Sequence, residues 1–84
     1  MFQIVYAAGL WEEVQRLPLP IRIRVLHLLE RLRDWPAVSG AKPLRGSLAA
    51  HWRLRTGDYR LQFRVAGNEI IVEKVGHRDR FYGD

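Results

Sequence analysis

Cysteine is absent from the 84-residue sequence, which removes disulfides, thiolate nucleophiles and cysteine-ligated zinc from consideration. Histidine is scarce. His27, His51 and His77 lie too far apart in the chain to suggest a metal site, and neither a metal nor a cofactor is expected. No apolar run approaches the roughly 20 residues that a membrane-crossing helix requires. The opening MFQIVYAAGLWEE also lacks the basic stretch that precedes the apolar part of a secretory leader. The expectation is a cytoplasmic protein with no membrane partner. Acidic side chains are outnumbered, nine against fourteen lysines and arginines, so the net charge is +5 and an anionic partner is favoured.

What is present suits a folded chain. Hydrophobic residues make up 48% and charged residues 27%, enough for one modest core and too apolar for a disordered tail, so residues 1–84 are read as a single domain. The charge is unevenly placed: Met1 to Ala41 holds five arginines against four acids, whereas Lys42 to Asp84 holds nine basic residues against five acids. Twelve of the fourteen cations are arginine, the side chain whose planar fork pairs with phosphate and stacks on bases. Composition thus points toward nucleic acid.

Met1–Ala7 (MFQIVYA), rich in β-branched and aromatic residues, reads as a short strand. Leu10, Val14 and Leu17 share one face of a short helix that LPLP ends. Pro20 suits the first position of a second helix, where its missing N–H costs nothing. In IRIRVLHLLERLRDW, Ile21, Val25, Leu28, Leu32 and Trp35 recur at helical spacing, and Ile23, Leu26 and Leu29 widen the stripe beyond what one packing partner would use. Pro36 ends this helix, and PAVSGAKPLRGSLAA reads as a connector. From His51 the period becomes two. Three strands at about 51–56, 59–66 and 69–76 are joined by compact turns at Gly57-Asp58 and Gly67-Asn68. The predicted fold is α+β, in the order β-α-α-β-β-β, with two N-terminal helices packed on a small antiparallel sheet.

With Gly57 and Asp58 as the two central turn residues, Thr56 faces Tyr59, Arg55 faces Arg60, Leu54 faces Leu61 and Arg53 faces Gln62. One face of this hairpin is apolar and the other carries Arg53, Arg55, Arg60 and Arg64. Like charges directly across a strand pair are destabilising, so Arg55 opposite Arg60 calls for a reason outside folding, and a polyanion supplies one. A solvated face relieved by Asp58, Glu69 and Glu73 is the plain alternative. Arg45 in the loop before the sheet, and Arg78, Arg80 and Tyr82 after it, lie on segments able to converge at its edge.

The segments KPLRGSL, WRLRTGDYRLQFRV and NEIIVEKVGHRDRFY, in that order behind a two-helix N-terminal half, resemble the RelE/ParE superfamily of type II toxins, and most closely its RelE-like branch. The resemblance covers essentially the whole chain. It implies a ribosome-dependent endoribonuclease that cleaves mRNA in the A site of the 70S ribosome and is neutralised by a cognate acidic antitoxin. Carried over position by position, it implies that Arg45 and Arg60 hold the phosphate and that Arg78 serves the leaving group. Tyr82 would stack on or orient a nucleotide, and Arg64 and Arg80 would contact RNA. Arg53 and Arg55 stand where well-studied members carry lysine, one of them the proposed general base. Arginine stays protonated and is a poor proton acceptor, so the base is unassigned by the resemblance, with His77 a candidate because it sits beside Arg78 and a neutral imidazole can accept a proton.

Two other functions fit the same resemblance: a ParE-like inhibitor of DNA gyrase, and a catalytically weak RNA-binding relative. His51 reads as a partly exposed residue at the sheet edge, His27 as a packing or surface residue, and Trp11, Trp35 and Trp52 as core or partner-interface residues. The wide apolar stripe of the second helix suits either an amphipathic antitoxin segment or a second copy of the chain.

Overall fold

The computed structural model describes residues 2–46 and 50–80. Strand β1 (Gln3–Tyr6) leads into helices α1 (Leu10–Gln15) and α2 (Leu19–Arg31). Strands β2 (Lys42–Pro43), β3 (His51–Thr56), β4 (Tyr59–Ala66) and β5 (Glu69–His77) follow, with 3₁₀ turns at Leu32–Asp34 and Arg78–Arg80. The α+β arrangement of two helices on one sheet is as the sequence leads one to expect. The five strands lie in the order β1-β5-β4-β3-β2.

The three consecutive strands pair antiparallel, and the β3–β4 register is the one read from the turn: Thr56 with Tyr59, Arg55 with Arg60, Leu54 with Leu61 and Arg53 with Gln62. Gly57 makes this possible by taking φ of 60° at the first central position of the turn, where two-residue hairpins favour glycine. The edges of the sheet depart from the sequence expectation. β1 runs parallel to β5, with Ile4 beside Ile70, because the helical crossover returns the chain so that β3 runs in the direction of β1, and two successive hairpins give β5 that direction again. At the opposite edge, β2 pairs Lys42 with Arg53 and Pro43 with Trp52. Two residues inside a Pro/Gly-containing loop leave no period-two pattern, and Pro43 is tolerated because an edge strand can spare its N–H.

The core lies between one sheet face and the helices. Leu54, Leu61, Phe63, Ile70, Val72 and Val75 meet Leu10 and Val14 of α1 and Val25, Leu28 and Leu29 of α2, with Leu32 just beyond. Phe63 is fully buried and lies edge-on to Trp35 at 5.3 Å, and Trp35 in turn meets Trp52 at 4.9 Å. Two of the three tryptophans therefore pack on the core. The outer part of the helical stripe stays open: Leu19, Ile23 and Leu26 are exposed.

One irregularity matters for the site. Gln62 pairs with Lys74 but Phe63 pairs with Val72, so Glu73 is an extra residue on β5. Such a bulge reverses which side chains face the core beyond it. Val75 consequently joins the core and His77 pairs with Tyr59 on the helix side of the sheet.

Candidate functional site

The sheet face turned away from the helices carries the arginines. The alternation of β3 places His51, Arg53 and Arg55 there. The register sets Arg64, Gln62 and Arg60 of β4 opposite them, and Lys42 of β2 flanks Arg53 at the edge. Arg55 faces solvent, whereas Arg53, Arg60 and Arg64 are half-buried. The Arg53 guanidinium is held below its ordinary value, first by burial and then by the charges of Arg60 and Arg55. A polyanion laid on the face would favour the charged form of these cations.

At one end of the face stands a polar cluster centred on Glu73. His51 Nδ1 lies 2.6 Å from Glu73 Oε1, Gln62 Nε2 donates to the same oxygen at 3.3 Å, and Arg64 Nε lies 3.4 Å from Oε2. Alternation along β5 from Ile70 and Val72, both in the core, turns Glu73 to this face beside Gln62 and within reach of β3. Sequence reasoning gave His51 no role and Glu73 only that of relieving repulsion. The signal was available: carrying the β3–β4 register two pairs further puts His51 beside Arg64, and counting back from Gly67-Asn68 puts Glu73 next to Gln62.

The other candidates divide between the two ends and the two faces. The Arg78 N–H donates to the Asp58 carbonyl at 2.7 Å, and its Nε lies 3.9 Å from Asp58 Oδ1. Arg78 is thereby tied to the β3–β4 turn, at the end of the sheet that carries Arg55 and Arg60. Arg45 is exposed and follows Leu44, whose N–H donates to the His51 carbonyl at 2.9 Å, so it lies at the opposite end. Tyr82 lies outside the described residues.

His77 and Arg80 are elsewhere. His77 meets Tyr59 edge-on at 5.3 Å, and its Nδ1 accepts the Asp79 N–H at 3.2 Å. With Arg80 it lines an open groove of about 740 Å³ bounded by Glu13, Arg16 and Pro18 on the helix side. Unbroken alternation along β5 would have put His77 on the arginine face, and the extra residue at Glu73 turns it away. His27 is exposed on α2. Among the described residues no cluster of three or more histidine, cysteine, aspartate or glutamate side chains is set to hold a metal, and no helix is long and apolar enough to cross a membrane.

Comparison with known proteins agrees with this architecture. The toxin of the RelBE2 toxin–antitoxin complex from Mycobacterium tuberculosis is similar over 92% of this chain and 98% of its own, at 26% identity and a TM-score of 0.77. A RelB–RelE antitoxin–toxin complex from Methanococcus jannaschii matches over 89% of this chain and 91% of the other, at 24% identity and a TM-score of 0.74. The isolated RelE toxin of E. coli shares the fold at 18% identity, covering 92% of this chain and 84% of its own, with a TM-score of 0.77. No individually curated protein sequence matches. Residues 13–82 match the family model described as the ParE toxin of the type II toxin–antitoxin system parDE. With a match over most of its length and the RelE-like fold around it, the chain belongs to the RelE/ParE superfamily of type II toxins.

Proposed function

We propose that this toxin is a ribosome-dependent endoribonuclease that cleaves mRNA in the ribosomal A site by attack of a ribose 2′-OH on the adjacent phosphate. The observation that supports it most strongly is the gathering of Arg53, Arg55, Arg60 and Arg64 on one sheet face, where burial first, and then the charges of Arg60 and Arg55, hold Arg53 below its ordinary value. The reaction needs a base at the 2′-OH, positive charge around the pentacoordinate phosphorus, and stabilisation of the departing 5′ oxygen. In this reading Arg53, Arg60 and Arg64 neutralise the reacting phosphate and its neighbours, Arg55 and Arg78 hold the RNA at the turn end of the face, and Arg45 holds it at the opposite end. Arg80 and Tyr82 contact flanking nucleotides, as the family resemblance implies. A flexible RNA samples many geometries, and in this reading the in-line arrangement of its 2′-OH and leaving oxygen is imposed by a second body, the ribosome.

The cognate partner in this proposal is an acidic antitoxin, which covers the exposed Leu19, Ile23 and Leu26 of α2 and lies against the cationic surface. Acting on ribosomes places the toxin in the cytoplasm. A second reading, inhibition of DNA gyrase, is favoured by the family match to ParE toxins. The two separate in a purified translation system with programmed ribosomes, assayed by primer extension beside a gyrase supercoiling assay. Cleavage at the A-site codon by wild type and not by Arg60→Ala supports the ribonuclease. Inhibited supercoiling with intact mRNA overturns it in favour of the gyrase reading, and RNA bound without either effect makes the chain a catalytically weak relative.

A further inference from the structure

We infer that His51 is the general base of the cleavage and that Glu73 is its positioning residue, an assignment that rests on the ribonuclease reading. The arginine face needs a group able to accept a proton near neutral pH, and guanidinium groups cannot. Of the three histidines, His27 is exposed on a helix and His77 is turned to the helix side by the β5 bulge. His51 alone projects from the face that carries Arg53 and Arg60.

Its geometry is that of an oriented imidazole. A carboxylate only accepts hydrogen bonds, so the proton in the 2.6 Å contact to Glu73 belongs to Nδ1. That fixes the tautomer and leaves the lone pair on Nε2, which makes no hydrogen bond to any described residue. Glu73 is itself held by Gln62 and Arg64 from the neighbouring strand, so the imidazole is anchored from three strands of the sheet. The carboxylate has a second effect. As Nε2 takes up a proton, the ring becomes a cation on a face already crowded with cations, and Glu73 compensates that charge at the opposite nitrogen.

The step is balanced. Nε2 of His51 takes the 2′-OH proton as O2′ bonds to phosphorus, and the bond from phosphorus to O5′ breaks with its electron pair. O5′ takes a proton from water. The products are a 2′,3′-cyclic phosphate and a 5′-OH end, and the imidazolium returns its proton to solvent.

The test is single-turnover cleavage on programmed ribosomes by wild type, His51→Ala, Glu73→Gln and Arg60→Ala, with ribosome occupancy measured separately. Removing a general base is expected to slow cleavage at saturation by about 10²- to 10⁴-fold with the half-saturating concentration unchanged. Added imidazole is expected to restore part of the rate to His51→Ala and none to Arg60→Ala. Glu73→Gln is expected to lower the saturated rate less than His51→Ala does, and to abolish the downfield Nδ1 proton resonance of His51 in the folded variant, a signal that a change in stability alone would leave in place. If wild type cleaves and His51→Ala cleaves within threefold of it, the assignment of the base is overturned while the ribonuclease reading stands. If wild type fails to cleave at all, that reading falls and the base assignment with it.

Discussion

The arginine face makes a quantitative demand on how RNA binding responds to salt. Four arginines project from the two central strands, and Glu73, 3.4 Å from Arg64, offsets one of them. An RNA strand that sets about three phosphates against this face releases about three counterions. Each phosphate neutralised contributes about 0.7 to the slope of log affinity against log salt, so the slope is about −2, and a rise from about 50 to about 200 mM salt weakens binding about 18-fold. Arg55→Gln removes one exposed charge, reducing the slope to about −1.4 and the loss to about sevenfold. Arg16→Gln, on the groove side of α1, should leave the slope where it was. The assay is fluorescence anisotropy with a short labelled 2′-O-methyl RNA, which keeps its phosphates and cannot be cleaved. A slope near zero in the wild type, or an equal change from Arg16→Gln and Arg55→Gln, would show that the face does not bind the backbone.

The same crowding has a cost in the free protein. Arg55→Gln relieves repulsion with Arg60 and Arg53, and because Arg55 is exposed the gain is small, about a few tenths of a kcal/mol or ~1–3 °C in Tm at low salt, vanishing at high salt. A lowered Tm would mean that Arg55 is held by a favourable contact. Phe63→Ala empties the middle of the core and should cost about 3–5 kcal/mol in denaturant unfolding, a large share of what a domain this size possesses. A loss below about 1 kcal/mol would refute the packing around Trp35. At Gly57 an added Cβ would meet only Arg24 Nη1 at 3.7 Å, so Gly57→Ala is expected to cost at least about 1 kcal/mol from the backbone at φ of 60° alone. Unchanged stability there would contradict the hairpin turn.

Local patterns carried the parts of the fold that local chemistry determines. The turn glycine at position 57 and strict alternation from Trp52 to Val65 were enough to pair β3 with β4 residue by residue, and with that to place the arginines on one face. The spacing of Val25, Leu28 and Leu32 likewise named the buried side of α2. What escaped the sequence was non-local. The parallel pairing of β1 with β5 depends on where the helical crossover returns the chain, and two residues of β2 are too few to show a period. The bulge at Glu73 had the largest consequence, because one extra residue moves His77 to the helix side. Reading the site residues from the resemblance alone therefore directed attention to His77, while the oriented imidazole lay at the start of β3.

Mapping mRNA 5′ ends after brief expression in cells tests whether the arginine face cleaves RNA. Wild type should generate new 5′-OH ends within A-site codons, and Arg60→Ala, expressed to the same level and folded, should generate none. Growth arrest with intact mRNA, or identical 5′ ends from wild type and Arg60→Ala, would contradict the account.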